Sequence, residues 1–191
     1  MTYVSVITLV TYALVLGLLA VVSVIDIRSR RVPNGLAAAL GFLWVAWRVV
    51  LGFAGAHMGL GFRAEFLGPA PDVLVPPGLE IGGISFASGL LGAVVLGGGL
   101  LVLTTLYELI RRKEAFGGGD IKLLFLTGLF LGWKRNLLCL VAACVIGIVW
   151  GLLQKKRDGG EAIPWGPSIA LGAWLTALCG QQIIDWYLGL L

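Results

Sequence analysis

Long apolar segments run through most of this chain and restrict it to a small set of folds. Hydrophobic residues make up 59% of the 191 residues and charged residues only 13%, whereas soluble domains carry about 25% charged residues. Several segments approach the roughly 20 apolar residues that an α-helix needs to cross a bilayer. They are continuous rather than alternating in polarity, which disfavours a membrane β-barrel. The sequence therefore predicts an all-α, multi-pass membrane bundle that forms a single domain over residues 1–191.

Six transmembrane helices are predicted from these segments. The fourth is too short to cross a bilayer upright, because that takes at least about 17 residues. We expect it either to begin inside the membrane or to continue into the fifth. The first segment follows no basic residue and ends at no small-residue cleavage site, so it is predicted to be a retained helix rather than a signal peptide. The predicted spans are 4–25, 35–55, 82–107, 121–132, 136–153 and 164–190.

The basic residues are concentrated in alternate loops. Nine Lys and Arg residues fall in the loops of one side and three in those of the other. Because cytoplasmic loops are enriched in Lys and Arg, the richer side is predicted to be cytoplasmic and the Gly- and Pro-rich segment 56–81 external. The basic residues behind the net charge of +4 thus indicate the topology of the chain, and no nucleic-acid partner is expected. The predicted cytoplasmic loops are 26–34, 108–120 and 154–163.

Two aspartates occupy unusual positions in this arrangement. Asp26 in VIDIRSRRVPN and Asp120 in FGGGDIKLL each lie where an apolar run meets a polar turn, and both are predicted at the cytoplasmic face. Ionisable groups at the edge of hydrocarbon are costly and tend to be functional. One ionised and one protonated carboxyl group can together activate a water for peptide hydrolysis. Such a pair shares a proton and titrates as a unit, so the sequence does not assign the two roles.

Simpler explanations exist for each aspartate alone. Asp26 could be a solvated cap or the partner of Arg28 or Arg30, and Asp120 could be a helix N-cap. The glycines before Asp120 argue against a simple cap, because a cap needs none of them. Without side chains, Gly117 and Gly119 let the backbone take unusual dihedral angles and let a substrate strand approach.

Metal and cofactor chemistry is not expected. His57 is the only histidine, and the three cysteines at 139, 144 and 179 lie in apolar segments, so no zinc-ligand pattern forms. A serine–histidine protease is also disfavoured, because the chain has no Gly-x-Ser-x-Gly stretch. The three glycines at 97–99 lie within the third span, where small residues commonly allow close helix packing.

Three segments of the chain resemble a known family. DIRSRRVPN is similar to the first catalytic motif of the type IV leader peptidases, or prepilin peptidases, which are intramembrane aspartyl proteases of the Gly-x-Gly-Asp class. FGGGDIKLL resembles their second motif, with Gly117 and Gly119 in the glycine positions. IPWGPSIALGAW, at 163–174, resembles their C-terminal Pro-x-Gly-Pro segment. The three motifs occur in the family's order and span nearly the whole chain.

This resemblance implies an intramembrane aspartic endopeptidase of the inner (cytoplasmic) membrane. Such an enzyme removes the leader from prepilin or pseudopilin precursors at the cytoplasmic face, and membrane lipid surrounds it. Asp26 and Asp120 would be the catalytic acids. The other motif residues are Gly117, Gly119, Lys122, Arg28, Pro33 and Asn34. Of these, Arg28 is expected mainly to fix topology, and Pro33 and Asn34 to shape the turn between the first two spans.

One departure from the family pattern concerns a second activity. Long members carry a cytoplasmic insertion with Cys-x-x-Cys motifs, associated with zinc and with N-methylation of the trimmed pilin. This sequence contains no Cys-x-x-Cys and leaves no space for the insertion before the second span. The resemblance therefore implies a peptidase without N-methyltransferase activity.

Two other functions are compatible with the same acids. A small proton- or cation-coupled transporter could use Asp26 and Asp120 as a relay, and a non-catalytic scaffold would need neither. A transporter predicts internal repeats and acids near mid-membrane, and the sequence shows no convincing repeat. The substrate stays open among type IV pilins, type II secretion pseudopilins, tight-adherence pilins and archaeal-type preflagellins.

Overall fold

The computed structural model describes residues 3–57, 85–112, 117–158 and 165–190, and within them it contains helices and no strands. The predicted all-α class is confirmed. The helices are α1 (Tyr3–Ser29), α2 (Asn34–His57), α3 (Phe86–Arg111), α4 (Gly118–Asp158) and α5 (Gly166–Leu188). A short π-helical segment, Ala93–Gly98, interrupts α3.

Within the described ranges, four helices are long and apolar enough to cross a membrane: Val6–Ser29, Asn34–Phe53, Phe86–Arg111 and Gly118–Leu153. Large apolar side chains cover their outer surfaces, and Phe42 and Leu109 are more than 70% exposed. Such faces suit contact with lipid rather than water. The count of six crossings stays a prediction, and most of the predicted external loop, 56–81, lies outside the described residues.

The fourth and fifth predicted spans belong to one helical element that reverses direction at Gly132. This glycine has φ 71° and ψ 173°, a backbone conformation that residues with a side chain rarely adopt. Asn136 Nδ2 donates to Leu124 O at 3.0 Å, and Thr127 Oγ1 donates to Asn136 Oδ1 at 2.9 Å. A straight helix would separate residues 124 and 136 by about 18 Å. Helix α4 therefore consists of a short arm, 118–131, and a long arm, 133–158, that folds back beside it.

The short arm lies at the centre of the bundle. Leu123, Leu124 and Phe130 are almost fully buried, and α2, α3 and α5 all contact α4. Glycines bring α3 very close to the short arm: a Cβ on Gly97 would lie 2.6 Å from Phe125 Cα. The close packing predicted for the glycines at 97–99 is thus found at Gly97.

The end of the short arm at Gly132 is enclosed by an aromatic cluster, which we call the aromatic end: Tyr12, Trp44, Trp47, Arg48 and Phe130. Because the helix breaks, its last carbonyl groups have no intrahelical partner. Trp44 Nε1 donates to Leu129 O at 2.9 Å, and Tyr12 Oη donates to Phe130 O at 2.8 Å. The buried Arg48 guanidinium lies 4.7 Å from the centre of the Trp47 ring. A cation near a helix C-terminus is favoured by the helix dipole.

Candidate active site

Asp26 begins the last turn of α1, with its side chain buried at 5% exposure. The predicted span ended at residue 25, but the helix continues to Ser29 and carries Asp26 within it. A solvated cap is therefore not the structural role of Asp26. Arg30, with φ 51°, ends the helix and donates its N–H to Asp26 O at 2.8 Å.

The carboxylate of Asp26 meets the start of α5. Gly166 N donates to Asp26 Oδ2 at 3.0 Å. The first N–H groups of a helix lack intrahelical acceptors and favour a nearby negative charge. A Cβ on Gly166 would lie 2.5 Å from the same oxygen, so only glycine allows this approach. Pro167 follows in the first turn, where its missing N–H is tolerated.

Asp120 lies in the first turn of α4, and its side chain is half-buried. The helix begins at Gly118, two residues before Asp120, so the simple N-cap explanation is wrong. Its backbone N–H donates to Gly117 O at 3.0 Å. A Cβ on Gly117 would lie 2.8 Å from Asp120 Oδ2, so the glycine leaves space against the carboxylate.

The fold brings the two carboxylates to one end of the bundle although they are 94 positions apart in sequence. Val32 follows Asp26 by six residues and lies against the Cβ position of Gly119, which adjoins Asp120, so the end of α1 and the start of α4 that carry the two aspartates are neighbours. Each comes from a different helix, and the start of α5 forms a third side of the site.

The segment between α1 and α2 connects the two motifs. A Cβ on Gly119 would lie 2.9 Å from Val32 Cγ2, so the second motif packs directly on this segment. Lys122 Nζ donates to Asn34 Oδ1 at 2.9 Å. Pro33 O accepts from the N–H groups of the first turn of α2. Pro33 thus lies in the predicted turn and begins the hydrogen bonding of α2, and Asn34, the first residue of α2, links this turn to α4 through Lys122.

The remaining predicted residue, Arg28, is exposed on the last turn of α1, so the structure gives it no buried position beside the carboxylates. The described residues hold no group of three or more His, Cys, Asp or Glu side chains suited to a metal. Sequence reasoning missed the contact of Gly166 with Asp26. The only signal for it was the Pro-x-Gly-Pro segment itself.

The site thus combines a buried and a half-buried carboxyl group, one of them hydrogen-bonded and both beside glycines, an arrangement that permits acid–base chemistry. The model of the Type IV leader peptidase family matches residues 13–152, which contain both aspartates. The chain belongs to this family, and the resemblance seen in its motifs is confirmed.

Several curated proteins are similar to the chain. The relative from Aeromonas salmonicida (strain A449) is 34% identical over 189 residues, which cover 93% of this chain and 61% of the relative. The Pseudomonas aeruginosa relative is 36% identical over 174 residues, covering 80% and 59%. Both are named prepilin leader peptidase/N-methyltransferase. This chain spans about three-fifths of their length, and no solved structure matches it.

Proposed function

We propose that this protein is an intramembrane aspartic endopeptidase that removes the leader from prepilin-like precursors, with Asp26 and Asp120 as its catalytic pair. The observation that carries the proposal is that the end of α1 with Asp26 and the start of α4 with Asp120 lie together, joined by the contact of Gly119 with Val32. A transporter relay is less well supported, because both acids lie at helix ends rather than midway along the helices.

The geometry supports an assignment of the ionised and the protonated role to the two carboxyl groups. A hydrogen bond from an N–H group stabilises the ionised form of a carboxyl group. Asp26 accepts such a bond from the N–H of Gly166. Asp26 is therefore assigned as the ionised group that takes a proton from water. Asp120 carries a proton and donates it to the oxygen of the scissile carbonyl as the water oxygen bonds to the carbonyl carbon. When the C–N bond breaks, the leaving amine takes the proton held by Asp26, and Asp120 regains one from the intermediate.

The decisive test is leader removal by single aspartate variants. Asp26→Asn and Asp120→Asn keep the size of the side chain but cannot exchange a proton, so each is expected to lose at least about 10²-fold in rate. Asp185→Asn, an exposed acid on α5, is the matched control and is expected to cleave normally. The readout is the gel shift of a precursor co-expressed with each variant. Full processing by Asp120→Asn would contradict the mechanism.

The same co-expression identifies the substrate. Candidate type IV pilins, type II secretion pseudopilins, tight-adherence pilins and preflagellins are expressed one at a time with the wild-type protein. We also propose that the product keeps an unmethylated amino terminus. Mass spectrometry of the trimmed precursor tests this, and a methyl group added by this chain alone would overturn it.

The proposed site faces the cytoplasm, on the inner membrane. A cysteine in place of exposed Arg112, in a variant otherwise free of cysteine, is expected to resist an impermeant thiol reagent added outside intact cells. A cysteine in place of Arg63, in the opposite loop, is expected to react. Labelling at 112 from outside would reverse the orientation derived from the basic residues.

A further inference from the structure

A groove opens at the surface of the bundle between the apolar helices α2, α3 and the short arm of α4. Its volume is about 480 Å³. We call it the α2–α3–α4 groove, and its principal lining residues are Ala37, Gly98, Leu101, Gly118, Ile121 and Phe125.

The groove suits an apolar helix. Among the residues that the structure describes, Lys122 is the only charged one in its lining. Backbone polar groups inside a bilayer must be satisfied within their own segment, so a polypeptide lying there has to be helical. Small residues let helices approach closely, and a Cβ on Gly98 would meet only Val94 Cγ1, at 3.8 Å, while one on Gly118 would meet nothing within 4 Å.

The groove is continuous with the proposed active site. Gly118 lines the groove, and the adjacent Gly117 lies against the Asp120 carboxylate, where its Cβ position is 2.8 Å from Oδ2. Consecutive Cα atoms are about 3.8 Å apart. Ile121 and Phe125 share a helix face that points away from Asp120, so a chain leaving the groove reaches the carboxylate over the glycine end of α4. No side chain of Gly117 or Gly118 obstructs that path.

We propose that the α2–α3–α4 groove binds the apolar helical segment of the substrate that continues from the scissile bond into the membrane. This inference rests on the proposed peptidase function. The substrate is held by its helix in the groove while the adjoining extended segment crosses the glycines to the two carboxyl groups. A lipid chain is the competing occupant.

Two neighbouring glycines give a matched test. Gly98 lines the groove, whereas Gly99 does not, and a Cβ on Gly99 meets nothing within 4 Å. Gly98→Leu fills the groove and is expected to lower kcat/KM for a full-length precursor by roughly tenfold or more, since one methylene group in an apolar pocket can be worth about 10- to 200-fold. Gly99→Leu is expected to stay close to wild type. If the two variants are equally active and the wild type is active, the proposed role of the groove is wrong and the peptidase proposal stays intact.

Photo-crosslinking reads out the occupant without filling the groove. A photoreactive amino acid replaces Leu101, which lines the groove, or Leu103, which is 65% exposed two residues further along α3 and does not line it. In an Asp120→Asn background with the same precursor, position 101 is expected to crosslink to the precursor and position 103 is not. Lipid adducts alone at 101, or equal precursor adducts at both positions, would overturn the proposal. An inactive wild-type protein would instead refute the peptidase function.

Discussion

The two ends of the short arm of α4 are built in opposite ways. At the aromatic end, Tyr12 and Trp44 donate to its last carbonyl groups, and large rings surround them. At the other end, Asp120 follows glycines, and the polar contact to the neighbouring turn is an exposed bond from Lys122 to Asn34. Dense packing fixes the position of one end, and small residues leave the other accessible. This contrast suits a helix that must present a carboxyl group while staying in place.

The sharpest test of this contrast is a methyl group beside the carboxyl groups, at the start of α5. Gly166→Ala puts a Cβ 2.5 Å from Asp26 Oδ2, so the carboxylate or the start of α5 must move. A displacement of about 1 Å can cost on the order of a hundredfold in rate, and we expect such a loss in precursor cleavage per folded protein.

Gly172→Ala is the control for that variant. Its Cβ would lie 2.7 Å from Cys139 O, in the contact between α5 and the long arm of α4. It is expected to lower the melting temperature while leaving the rate per folded protein closer to wild type. If Gly166→Ala instead lost stability and kept its rate, Gly166 would serve packing alone.

A second test concerns the packing of the glycine motif on the turn between α1 and α2. Gly119→Val places a Cβ 2.9 Å from Val32 Cγ2, whereas Gly35→Val enters open space in the first turn of α2. We expect Gly119→Val to insert but to cleave at a much lower rate, because the turn must shift and Asp120 with it. Similar rates for both variants would show that Gly119 provides only flexibility.

The smallest effect is expected at the aromatic end. Tyr12→Phe removes the donor to Phe130 O and leaves that buried carbonyl without it, at a cost of about 1–3 kcal/mol in the free energy of unfolding. Tyr107→Phe, at a 47% exposed position on α3, is the control. Thermal unfolding in detergent measures the loss, and cleavage per folded protein is expected to stay near wild type. A large loss of rate with unchanged stability would mean that this end does more than anchor the arm.

The sequence predicted the features that depend on local patterns. Apolar runs gave the helices to within a few residues, and the second span, predicted at 35–55, is found at Asn34–His57. The alternation of basic loops predicted that Asp26 and Asp120 share one face, because each loop reports its own side of the membrane, and the orientation of that face stays a prediction.

The features that escaped prediction depend on contacts between distant residues. The span bounds 121–132 and 136–153 predicted a break after residue 132, but they did not show how tightly the chain folds back at Gly132, which the hydrogen bonds of Asn136 reveal only in the folded chain. The contact of Gly166 with Asp26 joins residues 140 positions apart. Helix ends also differ from the prediction, and α1 continues four residues past its predicted end. Backbone hydrogen bonds extend the helix there, and hydropathy does not detect them.

The fold-back at Gly132 sets how deep the short arm reaches into the bilayer. Fourteen residues, 118–131, span only about 21 Å as a helix, against about 30 Å of hydrocarbon. An upright helix of that length is too short to reach both surfaces of the bilayer. Tyr12 and Trp44 satisfy the last carbonyl groups at the Gly132 end, so the hydrogen bonds of that end do not depend on water. For the proposed peptidase, the opposite end, which carries Asp120, is the one that has to reach water, the second reactant in hydrolysis.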